Sequence, residues 1–405
     1  LMDLENGKKL AAKGIMNPQI SHGEDIIKRI NVAIRSPDGR KRMADLIKDA
    51  LMSLAQELCA EADSETGDIL EAVIVGNTAM HHLTLGLPVR QLALSPFVPG
   101  VCGDLDVKAR EIGLNFAPGA YVYFPPNIAG FVGADHVAAL MATAGEWVHG
   151  KVLVIDIGTN TEISLIARGK ITCVSCASGP AFEGYHISSG VRAAPGAIEI
   201  VNLSSGDLHY QTIDDAEPIG ICGSGILDTV SQLFLAGVLH SGGRMQKGSH
   251  HRVVEKNGRL EFILAPQKKG RRDTVISITQ RDVREIQLGK AAIQAALKIL
   301  LEQGNIAATE IDKIIIAGAF GSYIDISNAV AIGMLPGLPL NRFLQVGNAA
   351  GTGARILLLS ATSREEMKKL LARIKYLELG GTPQFSKAFT RACSLGPYSS
   401  IHKPP

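Results

Sequence analysis

Two stretches of this chain share one shape, and that repetition limits its fold more than any other feature. EAVIVGNTAMHH (71–82) and KIIIAGAFGSYI (313–324) each run from a charged lead-in through an apolar strand to glycine, then towards helix. The upstream segments match as well. LMDLENGKKLAAKGIMNP (1–18) reads as a strand, an Asn6-Gly7 turn and a strand ending at Asn17-Pro18. A strand, a turn at Arg168-Gly169-Lys170 and a strand ending at Gly179-Pro180 repeat that plan. Such an internal duplication of βαβ-type units implies two similar lobes with a ligand held in the cleft between them. The second copy is longer by about 80 residues, which places an insert at roughly 195–277. Helical spacing over 26–34 and 40–62, the latter with Met43, Leu46, Ile47, Leu51, Leu54 and Leu58 on one face, fills the first copy. In the second copy a helix over 280–303 aligns Val283, Ile286, Ile293, Leu297, Leu300 and Leu301, behind Thr279 as N-cap with Asp282 three residues on. Residues 87–119, broken by Pro88, Pro96, Pro99 and Pro118, read as irregular, and 135–144 as a small-residue helix.

Between the copies lies VLVIDIGTNTEISL (152–165). Val152 to Ile155 form the continuous apolar run of a strand buried on both faces. Asp156 sits where that strand leaves the core, and Gly158 lets the backbone approach a ligand without a Cβ in the way. Thr159, Asn160 and Thr161 add hydroxyl, amide and main-chain donors. An acidic strand end followed by Gly-Thr suits a phosphate chain and its Mg²⁺, with amides on the oxygens and the carboxylate on the metal through water. A plain β-hairpin with a glycine turn explains the stretch equally well. Three later turns weigh against that. GICGSG (220–225) opens a helix whose N–H groups suit an anion. Gly318, Gly321 and Ser322 follow a strand, where a flat base or ribose can lie on the backbone, and VGNAAGTGARILLLS (346–360) feeds an apolar helix. Any one of these is an ordinary turn; four, in this order behind an acidic strand end, are not.

The duplication also exposes an expectation upstream. The second copy begins with the Asp156 strand and turn, whereas the first begins one strand later, so a strand ending in Asp-x-Gly-Thr is expected to precede Leu1. A formal charge of +2 gives no electrostatic case for nucleic acid or an anionic membrane. No apolar run reaches the length of a bilayer span. Six cysteines are too few for a disulfide scaffold in 405 residues, so a reducing cytoplasm is the expected location.

In the order DIGTNTE, IIIAGAFG and closing glycine-rich helix, the chain resembles the ASKHA superfamily of actin, sugar kinases and heat-shock chaperone ATPases. More narrowly, PPNIAGFVGADHVAAL, ASGPAFEGYHISSGVRAAPGAIE, GICGSGILD, ITQRDVREIQLGKAAI and IIIAGAFGSYIDISNAVAIGMLP together are similar to the C-terminal part of the reductive activators of corrinoid proteins. The resemblance implies an α/β fold of duplicated actin-like (ribonuclease H-like) lobes with a nucleotide cleft. Its boundaries fall at 1–147 for the first lobe, 148–395 for the second with its insert, and 396–405 for a tail. It implies ATP-dependent return of a corrinoid protein from Co(II) to Co(I), with ATP and Mg²⁺ as cofactors, a corrinoid protein as partner and a homodimer as the expected assembly. Electrons enter family members through an N-terminal [2Fe–2S] ferredoxin-like domain, and no C-x₄-C-x₂-C spacing for such a cluster occurs here. In this scheme Asp156 holds the metal, Gly158, Thr159 and Asn160 the phosphates, and Gly318, Ala319 and Gly321 the adenosine. Gly223, Ser224 and Gly225 join the same site on their turn chemistry. Glu162 and Glu183 are candidates to orient the attacking water, with Asp135 a third.

Two other functions compete. A small-molecule kinase on this fold needs a carboxylate base in the first lobe, for which Asp104 and Asp106 are available. An activator of hydroxyacyl-CoA dehydratases would bridge subunits with a [4Fe–4S] cluster, and Cys173, Cys176 and Cys222 are its only candidates; a lone C-x-x-C reads more simply as buried strand cysteines. His81 and His82 read as packed imidazoles, and the Lys268-Lys269-Gly270-Arg271-Arg272 run as a solvated loop.

Overall fold

The computed structural model describes residues 1–23, 25–147, 150–204, 206–266 and 275–398. The cationic run at 268–272 and residues 399–405 of the expected tail lie outside them. In chain order the longer elements begin with α1 (Ile26–Arg35), α2 (Pro37–Glu61), β1 (Glu71–Val73), α3 (Thr78–Thr84), β2 (Leu105–Lys108), β3 (Tyr121–Phe124) and α4 (Ala134–Thr143). They continue with β4 (Val152–Asp156), β5 (Asn160–Ala167), β6 (Lys170–Ala177), β7 (Ala197–Ser204), β8 (Asp207–Thr212), β9 (Gly220–Ile221) and α5 (Gly223–Leu235). Next come β10 (Val253–Lys256), β11 (Arg259–Pro266), β12 (Val275–Thr279), α6 (Gln280–Gly304), β13 (Lys313–Ala317), α7 (Ile326–Ala331) and β14 (Phe343–Gly347). The chain closes with α8 (Ala349–Leu359), α9 (Ala361–Leu371), β15 (Ile374–Tyr376) and α10 (Pro383–Ala392). No described helix is long and apolar enough to cross a membrane.

Two compact units form: Leu1–Glu146 with Asn348–Tyr376, and Trp147–Gly347 with the residues from Leu377 on. This corrects the boundary drawn at 148–395, because residues 348–376 pack with the first unit. The cause is close helix contact. A Cβ at Gly353 in α8 would collide with the Ala138 carbonyl in α4, and Leu357 and Met367 share a core with Tyr123 and Val137. In this unit α1 starts at Asp25, whose side chain accepts from Lys28 N, and α2 starts at Ser36 with Pro37 at its first position. Its sheet has the order β1-β3-β2, with β1 parallel to β3 and β2 antiparallel. β2 falls within the stretch expected to be irregular. The opening hairpin shrinks to its turn, closed by Gly7 N–H to Asp3 O at 2.9 Å, and one bridge between Met2 and Lys9. Residues 4–10 are exposed, so those strands have no apolar face to bury.

In the second unit five strands run in the order β14-β13-β4-β5-β6. β4, β5 and β6 are an antiparallel meander, while β13 lies parallel to β4 and β14 parallel to β13. α6 is capped as its sequence indicates: Thr279 Oγ1 accepts from Asp282 N, and Asp282 Oδ2 accepts from Thr279 N at 2.8 Å. All six stripe residues of α6 are buried, each worth roughly 2 kcal/mol. The insert is no appendage. Ile198, Ile221, Ile226, Leu227, Val230, Phe262 and Ile276 share one core with Leu153, Ile155 and Ile293.

Candidate functional site

Val152–Ile155 of β4 and Ile314–Ala317 of β13 are apolar and buried because both faces are covered, so polar side chains come only at the strand ends. They leave at the same end, with Asp156 level with Ala317 in parallel register. Asp156 is half-buried there. Gly318 follows with φ +93°, and a Cβ on it would stand 2.5 Å from Ile157 O and 2.9 Å from Asp156 Oδ1. Only glycine takes that backbone and leaves room for the carboxylate. Ile157 N–H donates to Ala317 O (3.2 Å) and Gly318 N–H to Gly347 O (3.0 Å), which ties three strand ends together. Crevices at the carboxyl ends of such strands are where open α/β sheets bind ligands.

The 156–162 hairpin adds a second carboxylate. Glu162 lies directly opposite Asp156 in the β4–β5 ladder, on the same face, and accepts from Ser175 Oγ at 3.1 Å. Like charges opposed across a ladder repel, so the pair favours a cation between or near them. Thr159 Oγ1 donates to Glu183 Oε1 at 2.5 Å. With its one hydrogen used, that hydroxyl turns only lone pairs outward, which suits water or a cation rather than a phosphate oxygen. The phosphate role foreseen for Thr159 therefore rests on its main-chain N–H. Asn160 opens β5, half-buried, beside the same turn.

The other glycine turns are explained largely by packing. A Cβ at Gly223 would collide with Phe182 O and stand 2.9 Å from Phe320 Cδ2, at a place where the Phe182 and Phe320 rings stack with centroids 5.0 Å apart. Gly225 is pressed on Ile198 O, and Gly321 on Ile316 Cγ2 at 2.7 Å. Ser224 is buried with its Oγ 3.5 Å from Cys222 Sγ. Ala319 caps the short turn at Phe320–Ser322. Of the thirteen residues foreseen for this site, all but Asp135 belong to the second unit. The contact between Asp156 and Gly318 was not legible beforehand, and neither was the part played by Ser178, whose hydroxyl donates to Gly158 O at 2.9 Å. The ASGP sequence around Ser178 carries the signal, though it reads as a strand end and as part of a family segment, with no role for Ser178 itself.

The other candidates have these surroundings. Asp135 belongs to the first turn of α4 in the first unit, where burial pushes its carboxyl up to about 6. Asp104 accepts from Tyr123 OH (3.2 Å) and pairs with Lys368 (3.3 Å), while Asp106 is exposed on β2. Cys173 and Cys176 are three apart on one strand and so point to opposite faces of the sheet, which prevents a shared metal. Both are fully buried, and burial pushes the Cys173 thiol up to about 12. Cys222 Sγ donates to Ile198 O. All six cysteines are free, and no group of three metal-ligating side chains occurs among the described residues.

Comparison with known proteins gives a consistent result. Residues 150–402 match the model of the C-terminal domain of RACo, the ASKHA domain, and residues 1–145 that of the RACo middle region. The chain is 35% identical to the corrinoid activation enzyme RamQ of Eubacterium limosum, over 98% of this chain and 68% of that protein. It is 25% identical to the reductase of a Co(II) methylated-amine-specific corrinoid protein of Methanosarcina barkeri, over 92% and 70%. Among solved structures, a reductive activator for corrinoid, iron–sulfur protein superposes with a TM-score of 0.90 at 35% identity, over 98% of this chain and 64% of that one.

Proposed function

Because this chain belongs to the family of corrinoid reductive activators and carries their ASKHA domain, we propose that it binds ATP with Mg²⁺ at the Asp156–Gly318 end of its second sheet. We propose further that it serves to return a corrinoid protein from Co(II) to Co(I). The observation that carries the reading is the seat of Gly318, a left-handed glycine held against the Asp156 carboxylate at the shared end of two parallel strands. In this reading Asp156 holds the metal through water, and the N–H groups of Gly158, Thr159 and Asn160 take phosphate oxygens. The backbone of Gly318, Ala319 and Gly321 lies beneath the adenosine. Glu162, facing Asp156, orients the attacking water. When bound, ATP supplies the free energy that reduction of Co(II) lacks with ordinary cellular donors. Electron entry through a [2Fe–2S] domain is assigned to none of these 405 residues, since the relatives are longer chains. A homodimer in the cytoplasm belongs to the same proposal.

The test is ATP hydrolysis measured with and without a Co(II) corrinoid protein, while the corrinoid's visible spectrum is followed in the presence of a reductant. The expected result is ATP consumption coupled to a shift towards Co(I). A spectrum that never moves, with ATP spent only on a sugar or acid, would return the chain to the kinases.

A further inference from the structure

Ser178 lies just past the end of β6, 4% exposed, and is foreseen in no role. Its hydroxyl meets the glycine turn three times. It donates to Gly158 O at 2.9 Å, approaches Thr159 O at 3.4 Å and, with its hydrogen so placed, accepts from Thr161 Oγ1 at 2.7 Å. The next residue adds a fourth tie, Gly179 N–H to Thr159 O at 2.9 Å. In a trans peptide the carbonyl and the following N–H point in opposite directions. Fixing Gly158 O towards Ser178 therefore turns the Thr159 N–H away from it. Fixing Thr159 O towards Gly179 turns the Asn160 N–H away likewise. Two consecutive amides are aimed together out of the turn, as a concave anion site requires.

We infer that Ser178 is a positioning residue for phosphate binding: through Gly158 O it holds the Thr159 amide in the orientation a polyphosphate needs, beside the Asn160 amide held by way of Gly179, without touching the ligand. The inference rests on the proposed nucleotide site and deepens it. It separates two parts of that site, because the 318–321 backbone beneath the adenosine receives no bond from Ser178 among the described contacts.

The test uses the full 405-residue chain with Mg²⁺ and three probes, ATP, ADP and adenosine, titrated calorimetrically into the wild type and Ser178→Ala. The expected outcome is about tenfold weaker binding of ATP and ADP, with adenosine within about twofold, since loss of the buried hydroxyl leaves the Gly158 carbonyl free to rotate while Gly179 N–H still holds Thr159 O. Thr161→Val, which removes the hydroxyl that orients Ser178, should give a smaller loss of the same selectivity and carries the test if Ser178→Ala does not fold. Equal losses for all three probes would make Ser178 merely a fold-stabilising residue and overturn the inference. Unchanged affinities would do the same while leaving the nucleotide site standing. A wild-type chain that binds none of the probes would instead remove the nucleotide reading on which the inference depends.

Discussion

Gly76 and Gly318 follow strands of one sequence pattern in the two units, yet the chemistry around them differs. The glycines are fastened differently: Gly76 O accepts from Asp135 N–H in the first turn of α4 at 3.4 Å, whereas Gly318 N–H reaches Gly347 O, at the end of the parallel strand β14, at 3.0 Å. At Gly76 the backbone proceeds directly into α3, with Asn77 Oδ1 accepting from Met80 N. A Cβ there would meet only Met80 Cβ, at an ordinary 3.6 Å. α3 then buries His81 and His82. His82 donates from Nδ1 to Thr78 O (2.7 Å) and accepts at Nε2 from Gly100 N–H (2.9 Å), so it clasps a loop. At Gly318 the neighbouring strand end carries Asp156, and the chain must turn left-handed to clear it. One sequence pattern yields two backbone paths. On the proposed reading, the residue at the adjacent strand end decides whether the turn serves packing or a ligand.

The largest effect should come from removing that residue. Asp156→Ala is expected to lower Mg²⁺-dependent ATP affinity at least about a hundredfold, since it removes the carboxylate placed on the metal's water shell, and Glu162 opposite it is buried and bonded to Ser175. Circular dichroism should be unchanged, because Asp156 is half-buried at a strand end. Equal ATP affinity in the variant would detach the site from this strand. Next comes Gly318→Ala. Forcing a Cβ into a left-handed turn costs about 1–2 kcal/mol before the clash with Ile157 O and the Asp156 carboxylate is counted. A fall of several degrees in thermal midpoint, with ATP binding weakened, is the outcome to look for.

How much of this was legible follows from the same comparison. The strand–glycine pattern, the capping box at Thr279 and the stripe along α6 are local properties, and each formed where the sequence placed it. The grouping of 348–376 with the first unit was not legible, because it depends on Gly353 meeting Ala138 across more than two hundred residues of sequence. The C-x-x-C reads as buried strand cysteines and is found so, for a physical reason: spacing that gathers ligands in a turn separates them on a strand. At the site, residue types pointed correctly to a strand end with glycine. Which glycines face a carboxylate and which merely admit a carbonyl, as Gly225 does, is a matter of neighbours that no spacing encodes.

The first unit supplies the third contrast, in pH. Burial, helped by the neighbouring His82, lowers the His81 imidazole to about 4. The native chain therefore binds fewer protons than the unfolded one below the ordinary value near 6.5. The His81 contribution is complete above that value and is lost as pH falls towards 4, by up to about 1.4 kcal/mol per unit. Urea midpoints across this window should fall steeply for the wild type and flatten in His81→Gln. The affinity for ATP should not follow the same curve, since Gly76 and its histidines belong to packing.

The smallest effect is the sharpest test of the comparison. Gly76 has no positive φ, and its added Cβ would make one ordinary contact. Alanine there loses no backbone freedom that the native fold uses, and it restricts the unfolded chain slightly, so stability should change by no more than about 0.5 kcal/mol in either direction. ATP affinity should stay within experimental error. A large loss at Gly76, comparable to Gly318→Ala, would mean that both glycines serve a ligand, and the division of labour between the two strand ends would have to be abandoned. Tolerance at Gly76 beside intolerance at Gly318 would instead assign the demand for glycine to the Asp156 carboxylate rather than to the repeated strand–turn pattern.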